Sequence, residues 1–302
     1  MAPHPALLRP LALSSAALLF TGCAAGADTG EGADGSDGAS AEGPAIVATT
    51  TWQGAFATAA GAGDVTVIVP ADVQHAPEYE PAPSDLAAVA EADYVLYSPL
   101  EPFAQQITDA AGGDAETVEV ELDNSPDTIA AEVTRLGELF GTSDAAEAWL
   151  STFDEERERI SEDLAGRWPD GEAPRAVAQV YATWAAELAG AELVETYGPE
   201  QLGASDVAGL AGAEPAFVFE NTHMSAGRVL PDSDALQIGV VNYPGEDLDL
   251  IALYETNAHT IAEAFAGREA EPGAGGRGGH EGHGDGGDHG DRGDHGGGDS
   301  GE

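Results

Sequence analysis

The sequence predicts an α/β fold of two lobes, each with a parallel sheet flanked by helices, joined by one long rigid linker helix. Three observations predict it. Residues 44–142 alternate strand and helix signals, the pattern of a parallel sheet with helices on its faces. Ser143 to Trp168 is the longest uninterrupted helical signal in the chain. Residues 174–267 then resume the alternation over a stretch of similar size.

In the first lobe, Ala45 to Thr51 reads as a strand and Trp52 to Ala62 as a helix ending at a glycine. Val65, Val67 and Val69 alternate with Thr66 and Ile68 in a β-branched run suited to a buried strand, which Pro70 ends. The loop after it carries His75. Ser84 reads as the N-cap of the next helix. Tyr94 to Tyr97 is a short strand, Pro99 to Ala111 a helix, Thr117 to Leu122 a strand and Asp127 to Phe140 a helix. In the long helix, Trp149, Phe153, Ile160 and Leu164 form an apolar stripe at helical spacing, read as core. About 25 residues of helix span roughly 38 Å, enough to cross the molecule. In the second lobe the strands are read at 175–180, 193–196, 216–219 and 238–242, with helices at 182–190, 205–212 and 248–266.

The ends have a different composition. Arg9 and the apolar run Leu11 to Phe20 form a signal peptide over residues 1–22, too short to span a bilayer. Leu19-Phe-Thr-Gly-Cys23 resembles a lipobox, which makes Cys23, the only cysteine, a lipidation site. Residues 23–43 are Ala, Gly, Asp, Ser and Glu and read as a flexible tether. Residues 268–302 are a Gly/His/Asp-rich tail that cannot pack a core.

The formal net charge is −45, and every basic residue is Arg. Such acidity argues against nucleic acid or anionic lipid as a partner and favours cations nearby. Without lysine there is no phosphate-binding Gly-Lys-Ser/Thr loop and no Schiff-base chemistry. The chain has no Gly-x-Ser-x-Gly elbow and no His-Glu-x-x-His; His280-Glu-Gly-His283 is one residue short of the latter. These absences argue against an enzyme.

Several stretches resemble the substrate-binding lipoproteins of bacterial zinc and manganese ABC transporters, the cluster A-I family. Thr49-Thr-Thr-Trp52 is similar to the family's first strand and turn. Tyr79-Glu-Pro-Ala-Pro-Ser-Asp85 is similar to its Tyr-Glu-Pro-Thr-Pro-Ser-Asp motif, and Ala92-Asp-Tyr-Val-Leu-Tyr97 to its next strand. The long helix matches the family's linker. The resemblance covers residues 45–267 and is specific in its N-terminal half.

What the resemblance implies is a metal held between the lobes by His and carboxylate side chains. The family's first histidine lies two residues before the Tyr; Pro77 stands there, and His75 lies upstream in the same loop. The second position, counted back from Leu122-Asp123, is Glu119. The third falls on Gln179, a poor ligand, and His223 is the substitute. The fourth falls on Asp247, with Asp249 as the alternative and helix capping as a further role for Asp247. His259 is read as a structural or surface residue.

The implied function is an extracytoplasmic solute-binding protein that captures a divalent transition metal and delivers it to an ABC permease. It would be monomeric, bind no nucleic acid, and be held to the cell membrane by its lipid alone. Two imidazoles with carboxylates suit Zn2+; an oxygen-richer set moves the preference to Mn2+. Because neutral imidazole is required, capture weakens as pH falls through about 6.5. Two other readings stand beside this one: a metal-dependent surface adhesin, and a metal buffer in which only the tail binds.

Overall fold

The computed structural model describes residues 44–73, 79–113, 115–169, 171–225 and 227–267. The first sheet holds β1 (Ile46–Ala48), β2 (Val65–Val67), β3 (Tyr94–Tyr97) and β4 (Glu116–Glu119), all parallel, in the order β2-β1-β3-β4. The second holds β5 (Arg175–Gln179), β6 (Glu192–Tyr197), β7 (Phe217–Asn221) and β8 (Leu236–Val240), again parallel, in the order β6-β5-β7-β8. The two-lobed α/β reading therefore holds. Parallel strands need crossovers, and here helices supply most of them: α1 (Thr51–Ala59), α2 (Pro83–Glu91) and α3 (Ala104–Ala111) in the first sheet, and α6 (Thr183–Leu188) and α7 (Ala204–Gly212) in the second.

Between the sheets run α4 (Pro126–Phe140) and α5 (Ser143–Ala165), and α8 (Leu250–Phe265) closes the described chain. The 23 residues of α5 span roughly 34 Å. Its predicted stripe is the buried one: Phe153, Ile160 and Leu164 are buried and Trp149 is half-buried against the same core. α5 packs on α4 of the first lobe and on α8 and α6 of the second. A Cβ on Gly137 would lie 2.6 Å from the Cβ of Ala146, so glycine is what lets α4 and α5 meet this closely. One hydrophobic core runs from Ile46 and Phe56 through Phe153 to Phe219 and Ile238, joining the lobes into one body.

Aromatic rings make the joint. Trp149 stacks on Phe153 at 5.1 Å, Phe153 meets the edge of Tyr254 at 5.0 Å, and Tyr254 lies 5.1 Å from Trp184. Hydrogen bonds complete it. The Asn242 side chain accepts from Trp184 Nε1 at 3.1 Å and donates to the Tyr181 carbonyl at 2.8 Å. Asn124, from the first lobe, donates to the Asn242 carbonyl at 3.0 Å and accepts at its own carbonyl from the Tyr254 hydroxyl. Buried polar groups of this kind are tolerated when paired, as the Asn242 amide and carbonyl and the Asn124 amide nitrogen and carbonyl are.

Several element ends differ from the sequence reading. α2 is capped by Ala82, not Ser84: Pro83 takes the first helical position, and the Asp85 carboxylate reaches back to Ala82 N at 2.7 Å. Asp85 also accepts from the Tyr79 hydroxyl at 2.9 Å, so the Tyr-Glu-Pro motif is held by its own last residue. α3 begins at Ala104 rather than Pro99, because Ser98 to Glu101 forms a turn closed by Glu101 N on the Ser98 carbonyl at 3.1 Å. α8 is capped by Asp249, which accepts from Ile251 N at 2.8 Å and Ala252 N at 3.2 Å, and not by Asp247. The signal, tether and tail lie outside the described residues, and so does Cys23. Among the described residues no helix is long and apolar enough to cross a membrane.

Phe153 is 2 % exposed and touches aromatic partners on both its own helix and α8. Phe153→Ala should lower unfolding stability by about 3–5 kcal/mol, read from urea denaturation; a loss under about 1 kcal/mol would contradict this packing.

Candidate functional site

The C-terminal ends of all eight strands face one inter-lobe cavity of 580 Å³. Each strand end supplies a wall residue: Thr51 after β1, Val69 after β2, Ser98 after β3, Leu122 after β4, Tyr181 after β5, Pro199 after β6, His223 after β7 and Tyr243 after β8. This is the place where open parallel sheets bind ligands, since crossovers leave the carboxyl ends clear.

His223 sits on a single 3₁₀ turn, Thr222–Met224, directly after β7. The turn is braced from below. Asn221 accepts from His223 N at 3.0 Å. Buried Gln179 accepts from Asn221 N at 3.1 Å and donates to the Met224 carbonyl at 3.2 Å. Thus Gln179, a poor ligand, positions the turn that carries the histidine. The imidazole meets the Tyr243 ring edge-on at 5.1 Å, and Tyr243 meets Trp52 of the first lobe at 5.2 Å.

Among the described residues, Glu101 is the carboxylate that lines the cavity, and sequence reasoning missed it. It accepts from Gln53 Nε2 at 2.6 Å, from Thr49 Oγ1 at 2.9 Å and from Ser98 N at 3.3 Å. Gln53 is in turn held by the Thr50 hydroxyl and by Thr50 N at 3.1 Å. Burial raises the Glu101 pKa above its ordinary value, and the hydrogen bonds from Gln53, Thr49 and Ser98 offset part of that rise. Across the cleft, burial first and the Glu101 charge second raise the Tyr243 pKa. The signal for Glu101 was its place after a strand and beside two prolines, in Ser98-Pro-Leu-Glu-Pro102; the helical reading of that stretch hid it.

Of the other sequence-predicted residues, Glu119 at the end of β4 is exposed and outside the cavity lining; its carbonyl accepts from Arg135 at 2.9 Å. Asp247 is exposed too and accepts from Asp249 N at 3.4 Å. Asp249, the alternative, is occupied as a cap. His259 is exposed on α8. His75 lies outside the described residues. Among the described residues no three His, Cys, Asp or Glu side chains come together as a metal cluster, and no arginine lines the cavity.

Residues 46–156 match the model of the family described as zinc-uptake complex component A, periplasmic (ZnuA). Over these residues the chain is similar to that family. That family is one of solute-binding transport proteins that bind metal ions. No curated protein sequence matches the chain. Among solved structures, FpvC from Pseudomonas aeruginosa in complex with Mn2+ is 14% identical, with a TM-score of 0.55, 74% of this chain and 97% of that one covered. The laminin-binding protein Lmb of Streptococcus agalactiae, described as having adhesin and metal-transporting activity, is 14% identical, with a TM-score of 0.54, 74% and 100% covered. A zinc-bound deletion mutant of ZnuA is 21% identical, with a TM-score of 0.52, 74% and 98% covered. At these identities the likeness is one of fold.

The raised Glu101 pKa has a sign. The native state holds this proton more tightly than the unfolded chain does. Its contribution to stability is complete below the ordinary value of 4.5 and is lost as pH rises through the folded value. Glu101→Gln should therefore gain stability relative to the native sequence between about pH 4.5 and pH 7, in urea unfolding of the metal-free protein. A difference that stays flat, or moves the other way, refutes the rise.

Proposed function

We propose that this protein is an extracytoplasmic solute-binding lipoprotein that captures a divalent transition metal, zinc before manganese, in the inter-lobe cleft and passes it to an ABC importer. One observation carries the reading. A chain that matches the zinc-uptake family over residues 46–156 places His223 on the wall of a cavity formed by the strand ends of both lobes. Imidazole and carboxylate together suit zinc, and neutral imidazole must be present for the ion to bind.

His223 is the imidazole ligand from the second lobe, and Glu101 supplies a carboxylate from the first. His75, in the loop after β2, belongs to the same proposal on the ground of the sequence alone. Glu119 and Asp247 would have to leave their exposed positions to take part, and Glu101 is the better placed carboxylate. The roles assigned to the rest follow the sequence: signal 1–22, lipidation at Cys23, tether 23–43, first lobe 44–142, linker helix 143–168, second lobe 174–267, and a tail at 268–302 that concentrates ions near the cleft. The protein acts as a monomer without catalysis.

Isothermal titration with zinc on a chain ending at Gly267 tests the reading. The expected Kd is below about 1 μM. His223→Ala should weaken it by about tenfold or more. Binding no tighter than micromolar, or an unchanged titration in the His75→Ala/His223→Ala double variant, would sink the proposal. Loss of all zinc binding on removal of residues 268–302 would transfer the function to the tail.

A further inference from the structure

We propose that Leu248 is a positioning residue of the cleft: a strained latch between the lobes that holds Asp247 outside and, once unseated, lets it swing in as a metal ligand. The inference rests on the metal-capture reading and concerns the regulation of that same site.

The first ground is the backbone. Leu248 has a φ of 55°, in the left-handed region. For a bulky side chain this is a genuine outlier, because its Cβ crowds the backbone carbonyl. Such a conformation persists only where its surroundings impose it. Here the chain is gripped on both sides. Leu248 N donates to the Gly245 carbonyl at 3.1 Å, and Asp249 is fixed as the cap of α8 by Ile251 N and Ala252 N.

The second ground is the seat of the side chain. Leu248 belongs to the second lobe, yet its side chain lies on α1 of the first. A Cβ on Gly54 would stand 3.2 Å from Leu248 Cδ2 and 3.3 Å from its Cδ1, so the leucine sits in the notch that this glycine leaves. It is half-buried there, against the core that joins the lobes. The contact offsets the backbone strain, and it crosses from one lobe to the other.

The third ground is the place of Asp247. It directly precedes Leu248 and is exposed, outside the cavity lining. Its carboxylate accepts from Asp249 N at 3.4 Å, a long contact for a hydrogen bond. The cavity is near on both sides. Tyr243, four residues back, lines it. So does Thr51, which lies three residues, or roughly 5 Å along α1, before Gly54. When Leu248 relaxes to negative φ, the segment between Tyr243 and Asp249 turns about its Leu248 end and carries Asp247 with it. The α8 cap is a separate residue and stays in place. A metal in the cleft attracts the carboxylate, and the strain released at Leu248 acts in the same direction.

The test titrates zinc into the full mature chain and its variants. Only the component lost in His223→Ala is counted, which leaves out binding by the tail histidines. Leu248→Ala removes the seated side chain but keeps a Cβ, and with it the pressure on the backbone. It should bind zinc about threefold to tenfold more tightly. Leu248→Gly removes seat and strain together, because glycine takes positive φ freely, and should gain less than Leu248→Ala. Asp247→Asn should weaken binding by about tenfold or more, and in that background neither Leu248 variant should change the Kd. A packing effect alone would survive the loss of Asp247. Should the alanine variant fail to fold, Leu248→Gly, which keeps the turn without strain, is held to the same dependence on Asp247. Leu248→Ala binding no tighter than the native chain, a glycine gain equal to the alanine one, a gain that persists in Asp247→Asn, or an unchanged affinity in Asp247→Asn alone overturns the latch and leaves metal capture standing. No His223-dependent zinc binding by the native chain overturns both.

Discussion

The joint at Asn242 is what the rest of the structure depends on. Its side chain binds Trp184 and the Tyr181 carbonyl in its own lobe, and its carbonyl is bound by Asn124 from the other. Tyr254 closes the set on Asn124 and packs between Phe153 and Trp184. These groups are buried, so each unmade bond would cost about 1–3 kcal/mol. They can be satisfied together in one relative placement of the lobes. The cavity, bounded by strand ends from both sheets, inherits its shape from that placement.

The same geometry explains how a buried carboxylate is tolerated at the cavity wall. Glu101 is surrounded by donors that are themselves fixed: Gln53 by Thr50, and Ser98 N by its turn at the end of β3. Burial still pushes the group toward its neutral form. A cation close by would reverse that pressure, since an opposite charge favours the ionised carboxylate. The buried carboxylate and the proposed metal ion are two halves of one electrostatic argument.

The α/β framework was legible in the sequence because β-branched runs report strands and helical stripes report the buried face of a helix. The Phe153, Ile160, Leu164 stripe folded as read, whereas the run read as a buried strand from Val65 to Val69 is an edge strand, Val65–Val67, with half-buried valines, and only Ile68 and Val69 beyond it are buried. Element ends were less legible because single hydrogen bonds decide them: Asp85 on Ala82 N, Asp249 on Ile251 N, and the Ser98 to Glu101 turn. The site was legible only in part. His223 could be found as a histidine following a buried strand. Glu101 could not, because its significance lies in contacts with Thr49 and Gln53 from a separate strand–helix turn. Gln179 was seen as a gap in a ligand set. It is the brace of a turn 40-odd residues away in sequence, and no local pattern announces a partner at that distance.

The ring contacts from Trp52 to Tyr243 to His223 link an indole in one lobe to the imidazole of the other. Trp52 is 6% exposed, so its indole is shielded from water. Tyr243, which lies between the two, lines the cavity, so a ligand there would touch it. A ligand filling the cleft would therefore act on an indole of this chain, one of its four, and could be followed through intrinsic fluorescence without a label.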